Sequence, residues 1–230
     1  MKTKIMKAML SIFILIIGVF SVYFFTKKDM KNVQSKDKKN NHSKPVIILD
    51  AGHDHIHGGC YRENTNEEEI TLKFAKELGK QLEKRNIQVI YTREDEQALD
   101  QDRMTCLQKR AEFSEKYQAD YFISLHVNSL DNMQEARGYE IYTVDKYKDS
   151  IDLANIISYH MDELDYLKKR FIRDGSDLRV LRLNTAIPIL IELGYITGND
   201  FYYLTDDQKI EEISLKICEG IVEKIKKEKE

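Results

Sequence analysis

From Pro45 onward, apolar and polar positions follow two alternating periods. "VIILD", residues 46–50, is a short β-branched apolar run, the mark of a buried strand. Thr65-Asn66-Glu67-Glu68 follows as a helix start, a Thr cap with a glutamate three residues on, and Ile70, Phe74, Leu78 and Leu82 recur at helical spacing. "IQVIYT" predicts a second strand, Leu107, Ala111 and Phe113 another helix, "ADYFISLHVNS" a third strand and "GYEIYTV" a fourth. A helix around 151–167 comes next. "LRVLRL" and "AIPILIELGY" complete a set of about six strands, and an amphipathic helix closes the chain from about Asp207. This alternation predicts an α/β fold: a single domain with a mostly parallel, roughly six-stranded sheet flanked by helices.

The first 44 residues break the pattern. Lys2, Lys4 and Lys7 precede an uncharged run of 18 residues, 8–25 (AMLSIFILIIGVFSVYFF), long enough to cross a bilayer core of about 30 Å. The run ends in Tyr23-Phe24-Phe25-Thr26-Lys27-Lys28 without the small-residue pattern of a cleaved leader. It predicts an uncleaved signal anchor, a transmembrane helix within 1–26. Lysines flank both ends, so loop charge alone does not set its orientation. Residues 27–44 are polar and lysine-rich and predict a flexible tether; 45–230 is then the folded domain.

Charge sharpens this division. Residues 1–44 carry ten lysines and two aspartates, a net of +8, and the remainder holds 26 basic against 37 acidic residues, a net of −11. An acidic body argues against nucleic acid as the ligand. Cys60, Cys106 and Cys218 are odd in number and show no CxxC spacing, which excludes a disulfide framework and the usual cysteine zinc sites.

In an open α/β sheet, ligands gather beyond the carboxyl ends of the strands. His53 follows the first strand, His126 falls near the end of "YFISLH", Glu192 near the end of "IPILIE", and Glu67 opens the helix after the first loop. Two histidines and a glutamate can hold zinc with a fourth position left for water, and a second glutamate can take the water's proton. Each residue has a plainer reading: His53 as a turn residue, His126 as a hydrogen-bonded core histidine, Glu67 as one of three acids favoured by the helix dipole. Glu192 is the hardest to explain that way, because a carboxylate directly after "IPILI" is costly to bury without a partner. No H-E-x-x-H helix, G-x-S-x-G elbow or Walker loop is present. A cysteine amidase built on Cys60 has no helix start or basic neighbour to recommend it.

Taken together, seven blocks in order resemble the zinc-dependent N-acetylmuramoyl-L-alanine amidases: "IILDAGH", "EEEITLKFAKEL", "VIYTRED", "CLQKRAEF", "ADYFISLHVNS", "GYEIYT" and "VLRLNTAIPILIELGYIT". The resemblance implies one zinc per chain held by His53, Glu67 and His126, with Glu192 as the catalytic acid–base. Glu67 is selected among the three glutamates because the family pattern places the ligand five residues before Leu72. Arg93, Arg182 and Asn128 lie in family-like blocks and stand as candidate substrate contacts, with a structural salt bridge as the competing reading for each arginine. The resemblance also implies peptidoglycan as substrate, a domain facing outward from the cell membrane, and a bacterial source; an activator partner and a non-catalytic wall- or spore-cortex-binding role are its alternatives.

Two departures stand out. The family continues Gly-His with Gly-Gly-x-Asp-x-Gly-Ala, whereas here Asp54-His55 replace the glycines, His57 takes the Asp place and Cys60 the Ala place. His55 and His57 are expected to be extra loop residues, substrate-facing or solvated, with the second favoured. "TGND" stands where the family has Ser-Asn-Pro, in a loop expected to border the cleft.

Overall fold

The computed structural model describes residues 43–130 and 135–229. In chain order the elements are β1 (Val46–Ala51), a small hairpin of β2 (Tyr61–Arg62) and β3 (Thr65–Asn66), α1 (Glu67–Glu83), β4 (Gln88–Tyr91), α2 (Arg103–Lys116), β5 (Tyr121–Asn128), β6 (Tyr139–Thr143), α3 (Lys148–Met161), β7 (Lys169–Asp174), α4 (Arg179–Arg182), β8 (Ile187–Tyr195), α5 (Phe201–Thr205) and α6 (Asp207–Lys227). The main sheet runs β4-β1-β5-β8-β6-β7. Only β6 against β8 is antiparallel, so the sheet is mostly parallel and six-stranded. The expected transmembrane helix and most of the tether lie outside the described residues. No described helix is long and apolar enough to cross a membrane.

Two cores sandwich the sheet. On one face Ile47, Leu49, Ile123, Leu125, Ile189 and Ile191 pack under Phe74, Leu78 and Leu82 of α1, Leu153 and Ile157 of α3, and Ile213, Ile217 and Ile221 of α6. On the other, Val46, Ile48, Phe122 and Leu190 meet Phe113 of α2 and Val180 and Leu181 of α4. Strands buried on both faces read as continuous apolar runs, which is why β1, β5 and β8 are plain in the sequence.

Three local expectations are corrected. Thr65 does not cap α1: it lies in β3, Asn66 takes the cap position without a side-chain bond, and the Glu67 N–H donates to the Cys60 carbonyl at 2.9 Å. The helix expected at 151–167 is α3, ending at Met161. "LRVLRL" contains the short helix α4 rather than a strand, with Leu178, Val180 and Leu181 packed on the second face. The sixth strand is β7, "KRFIRD", whose four charged positions suit an exposed sheet edge and mask its strand character.

Candidate active site

Beyond the carboxyl ends of β1, β5 and β8 the chain brings His53, Glu67, His126 and Glu192 to one place. His126 and Glu192 are register partners on adjacent strands, so both side chains leave the same face of the sheet. His53 reaches them through the left-handed turn after β1, at φ 62°, a conformation that non-glycine residues seldom adopt away from functional sites. Its Nδ1–H donates to the His57 carbonyl at 2.9 Å, which leaves Nε2 as the free lone pair. That Nε2 lies 3.3 Å from Glu67 Oε1, and His126 Nδ1 lies 3.1 Å from the same oxygen.

The Glu67 carboxylate is oriented on both sides. Oε1 accepts the Val127 N–H at 3.0 Å, and Oε2 accepts the Cys60 N–H at 3.0 Å and its thiol at 3.2 Å. Burial alone would raise the Glu67 carboxyl, but the adjacent imidazoles of His126 and His53 hold it far below the usual carboxylate range. Two glycines make room for this cluster: a Cβ at Gly52 would collide with the His126 ring, and one at Gly59 with the Glu67 carboxylate.

The three donor atoms lie within 4.8 Å of one another. Ligand bonds of ~2.0–2.1 Å in a tetrahedron separate neighbouring donors by roughly 3.3 Å, close to the spacing of Glu67 Oε1 from each imidazole nitrogen. Two imidazoles and one carboxylate with a fourth side open therefore fit a catalytic zinc. A second group, Asp54, His57 and Cys106, also clusters, but its donors are already committed. Asp54 accepts from Arg110 at 2.9 Å, and the two ring nitrogens of His57 meet Asp54 at 3.0 Å and the Gln101 carbonyl at 2.9 Å.

Glu192 is half-buried, and its Oε2 is buried with no hydrogen-bond partner among the described residues. Burial first, then the Glu67 and Glu140 carboxylates, push its carboxyl well above the ordinary range. A cation held by Glu67 opposes the second of these effects.

A buried ion network under the first loop was not identified from sequence. Arg110 of α2 donates to Asp50 and Asp54 at 2.8 and 2.9 Å and to the carbonyls of Ala51 and His53 at 2.7 and 2.6 Å. Burial would raise the Asp54 carboxyl, yet the His57 N–H and Arg110 hold it at about 2. The signal was available: Asp50 follows four buried apolar residues of its strand, as Glu192 follows the apolar run of β8.

Arg93 is buried, and its guanidinium is spent on the carbonyls of Ala51, Gly52, Glu68 and Asp95. It fastens the loop to α1, a structural placement. Arg182 is exposed in a connection tied by Gly175 to the end of β6 and by Ile187 to Asp120, before β5. Both ties lie at the sheet rim opposite Glu192, so the cluster does not include it. Asn128 ends β5 at the correct rim, with its side-chain oxygen accepting the Ser129 N–H at 2.8 Å. His57 is held between Asp54 and the Gln101 carbonyl, with its side chain 14% exposed. His55 is exposed and bonded to the Glu96 carbonyl at 2.7 Å.

Burial and the adjacent Glu67 carboxylate push the Cys60 thiol well up, so it is a neutral donor and no nucleophile. Cys60→Ala is therefore expected to retain hydrolysis within a few-fold, with no loss on alkylation by iodoacetamide. Abolition of hydrolysis at unchanged zinc content would identify a thiol mechanism instead.

Residues 47–223 match the family described as N-acetylmuramoyl-L-alanine amidase. The chain is 31% identical over 200 residues to the probable cell wall amidase LytH of Staphylococcus saprophyticus, covering 84% of this chain and 60% of that relative's length. Among solved structures, the CwlD amidase of Clostridioides difficile, in complex with the GerS lipoprotein, aligns with a TM-score of 0.74 at 26% identity, over 80% of this chain and 99% of that one. The catalytic domain of CwlV, an N-acetylmuramoyl-L-alanine amidase from Bacillus (Paenibacillus) polymyxa, aligns with a TM-score of 0.71 at 26% identity, over 79% and 98%.

Proposed function

Because the chain belongs to the N-acetylmuramoyl-L-alanine amidase family, we propose that it hydrolyses the amide between the lactyl group of N-acetylmuramic acid and L-alanine in peptidoglycan, using one zinc ion. The observation that carries this is the Glu192 carboxyl with its unpartnered buried oxygen, beside a two-imidazole, one-carboxylate cluster. His53, Glu67 and His126 would hold the zinc, which would supply Lewis acidity to the amide carbonyl and bring the pKa of water to ~7. Glu192 accepts the proton of the attacking water as oxygen adds to the carbonyl carbon. It returns that proton to the alanine nitrogen as the C–N bond breaks, leaving a lactyl carboxyl group and a free peptide amine. Mass spectrometry of purified peptidoglycan treated with the protein is expected to show peptides with new N-terminal alanine and intact sugar chains. Cuts between sugars or within the stem would contradict the assignment, and binding without cleavage would favour a non-catalytic wall protein.

The proposal extends to placement. The uncharged run 8–25 between lysines acts as a signal anchor, and a wall substrate requires the body outside. The full chain is expected to stay with membranes through high-salt washing; a new N-terminus before Pro45 on protein released to the medium would overturn this. The lipoprotein complex of CwlD supports looking for a protein partner here as well.

A further inference from the structure

The site continues across the sheet. His126 of β5 pairs with Glu192 of β8, Glu192 with Glu140 of β6, and Glu140 with Phe171 of β7. Register partners share a face, so these four side chains form a row from the zinc ligands to the sheet edge. Adjacent strands lie about 4.8 Å apart, which sets β7 roughly 10 Å beyond Glu192.

At the end of this row stand two arginines. Glu140 is buried, and both its oxygens are engaged: Oε1 forms an ion pair with Arg170 Nε at 3.0 Å and accepts the Tyr195 hydroxyl, and Oε2 accepts Arg173 at 3.2 Å and the Tyr142 hydroxyl at 3.1 Å. Both guanidiniums lean on aromatic rings, Arg170 over Tyr195 at 4.9 Å and Arg173 over Tyr142 and Phe171 at 4.6 Å each. The rings fix their direction at little entropic cost. Two guanidiniums share one carboxylate, so one positive charge is left over. The arginine side chains remain 34% and 51% exposed, and the Arg170 Nη groups have no partner among the described residues. Such a fixed, half-open pair is a carboxylate fork, set in a body whose net charge is otherwise negative.

Resting on the amidase assignment, we propose that Arg170 and Arg173 bind a carboxylate of the leaving stem peptide, two to three residues beyond the scissile amide. An extended peptide advances about 3.3–3.6 Å per residue, so the second or third residue reaches the shelf when the scissile bond is at Glu192. The subsite makes the enzyme discriminate acidic stems from those whose carboxylates are amidated. Arg170 and Arg173 thus set specificity and take no part in the proton transfer.

The test uses the full chain and two synthetic N-acetylmuramoyl tripeptides, identical except that the acids of the second and third residues are free in one and carboxamides in the other. The wild type is expected to cleave the acid with kcat/KM higher by about 10-fold or more, through KM, the range of one charge-assisted hydrogen bond. Arg173→Gln and Arg170→Gln are expected to bring the ratio towards one by raising KM for the acid alone. Zinc content at the wild-type level in the same variants shows that the fold and metal site are intact, and the rise in KM for the acid must exceed any change seen with the carboxamide. Equal cleavage of both substrates by the wild type, or equal losses on both in the variants, overturns the subsite and leaves the amidase assignment standing. Cleavage of neither substrate by the wild type overturns both.

Discussion

Glu192→Gln is expected to lower release of N-terminal alanine from peptidoglycan by ~10²–10⁴, the range for loss of a positioned general acid–base, while zinc content stays at wild-type level. The substitution keeps size and hydrogen-bonding reach, so it removes the proton acceptor and little else. Glu192 leaves β8 beside His126, and no hydrogen bond in the described structure depends on its Oε2. Its loss should therefore leave the fold, the ligands and wall binding in place. Burial of the native side chain among carboxylates favours its protonated form, and the amide variant relieves that repulsion, so thermal stability should hold or rise. Near-wild-type release by Glu192→Gln would falsify the assignment of Glu192 as the base.

The second large effect concerns the metal. His53→Ala or His126→Ala removes one of three convergent donors, and each is expected to abolish stoichiometric zinc and, with it, hydrolysis. Two ligands cannot hold the ion against dilution, and the Glu67 carboxylate loses an adjacent imidazole at the same time. His55→Ala should leave zinc unchanged, because His55 is exposed and bonded only to the Glu96 carbonyl. Plasma emission measurement of zinc on dialysed protein decides this. Zinc lost in His55→Ala but kept in His53→Ala would place the ion elsewhere on the loop.

Most of the sheet was legible because its central strands are buried on both faces and so carry unbroken apolar runs. The edge was not. In β7 the residues Lys169, Arg170, Arg173 and Asp174 face solvent or pair with charges, and a strand with one narrow apolar stripe lacks the periodic signal. The apolar alternation of "LRVLRL" belongs instead to a helical turn that packs Val180 and Leu181 on the second face.

His53, His126 and Glu192 could be found as chemistry at strand ends. Glu67 could not be separated from its two neighbours by spacing alone; it took the family pattern, and in the fold its partners are Val127 and Cys60. Arg93 illustrates the opposite difficulty. Its block suggested a substrate contact, but its partners are backbone carbonyls as far as 42 positions away, which no local pattern reveals. The same holds for Arg110, whose acids lie 60 and 56 positions before it.

The most direct measurement of the central claim is anomalous diffraction at the zinc absorption edge from crystals of the zinc-loaded protein. The account predicts one peak, bonded to His53 Nε2, Glu67 Oε1 and His126 Nδ1, with Glu192 beside it and unligated. A peak among Asp54, His57 and Cys106, or full zinc occupancy with Glu192 as a ligand in place of Glu67, would contradict it.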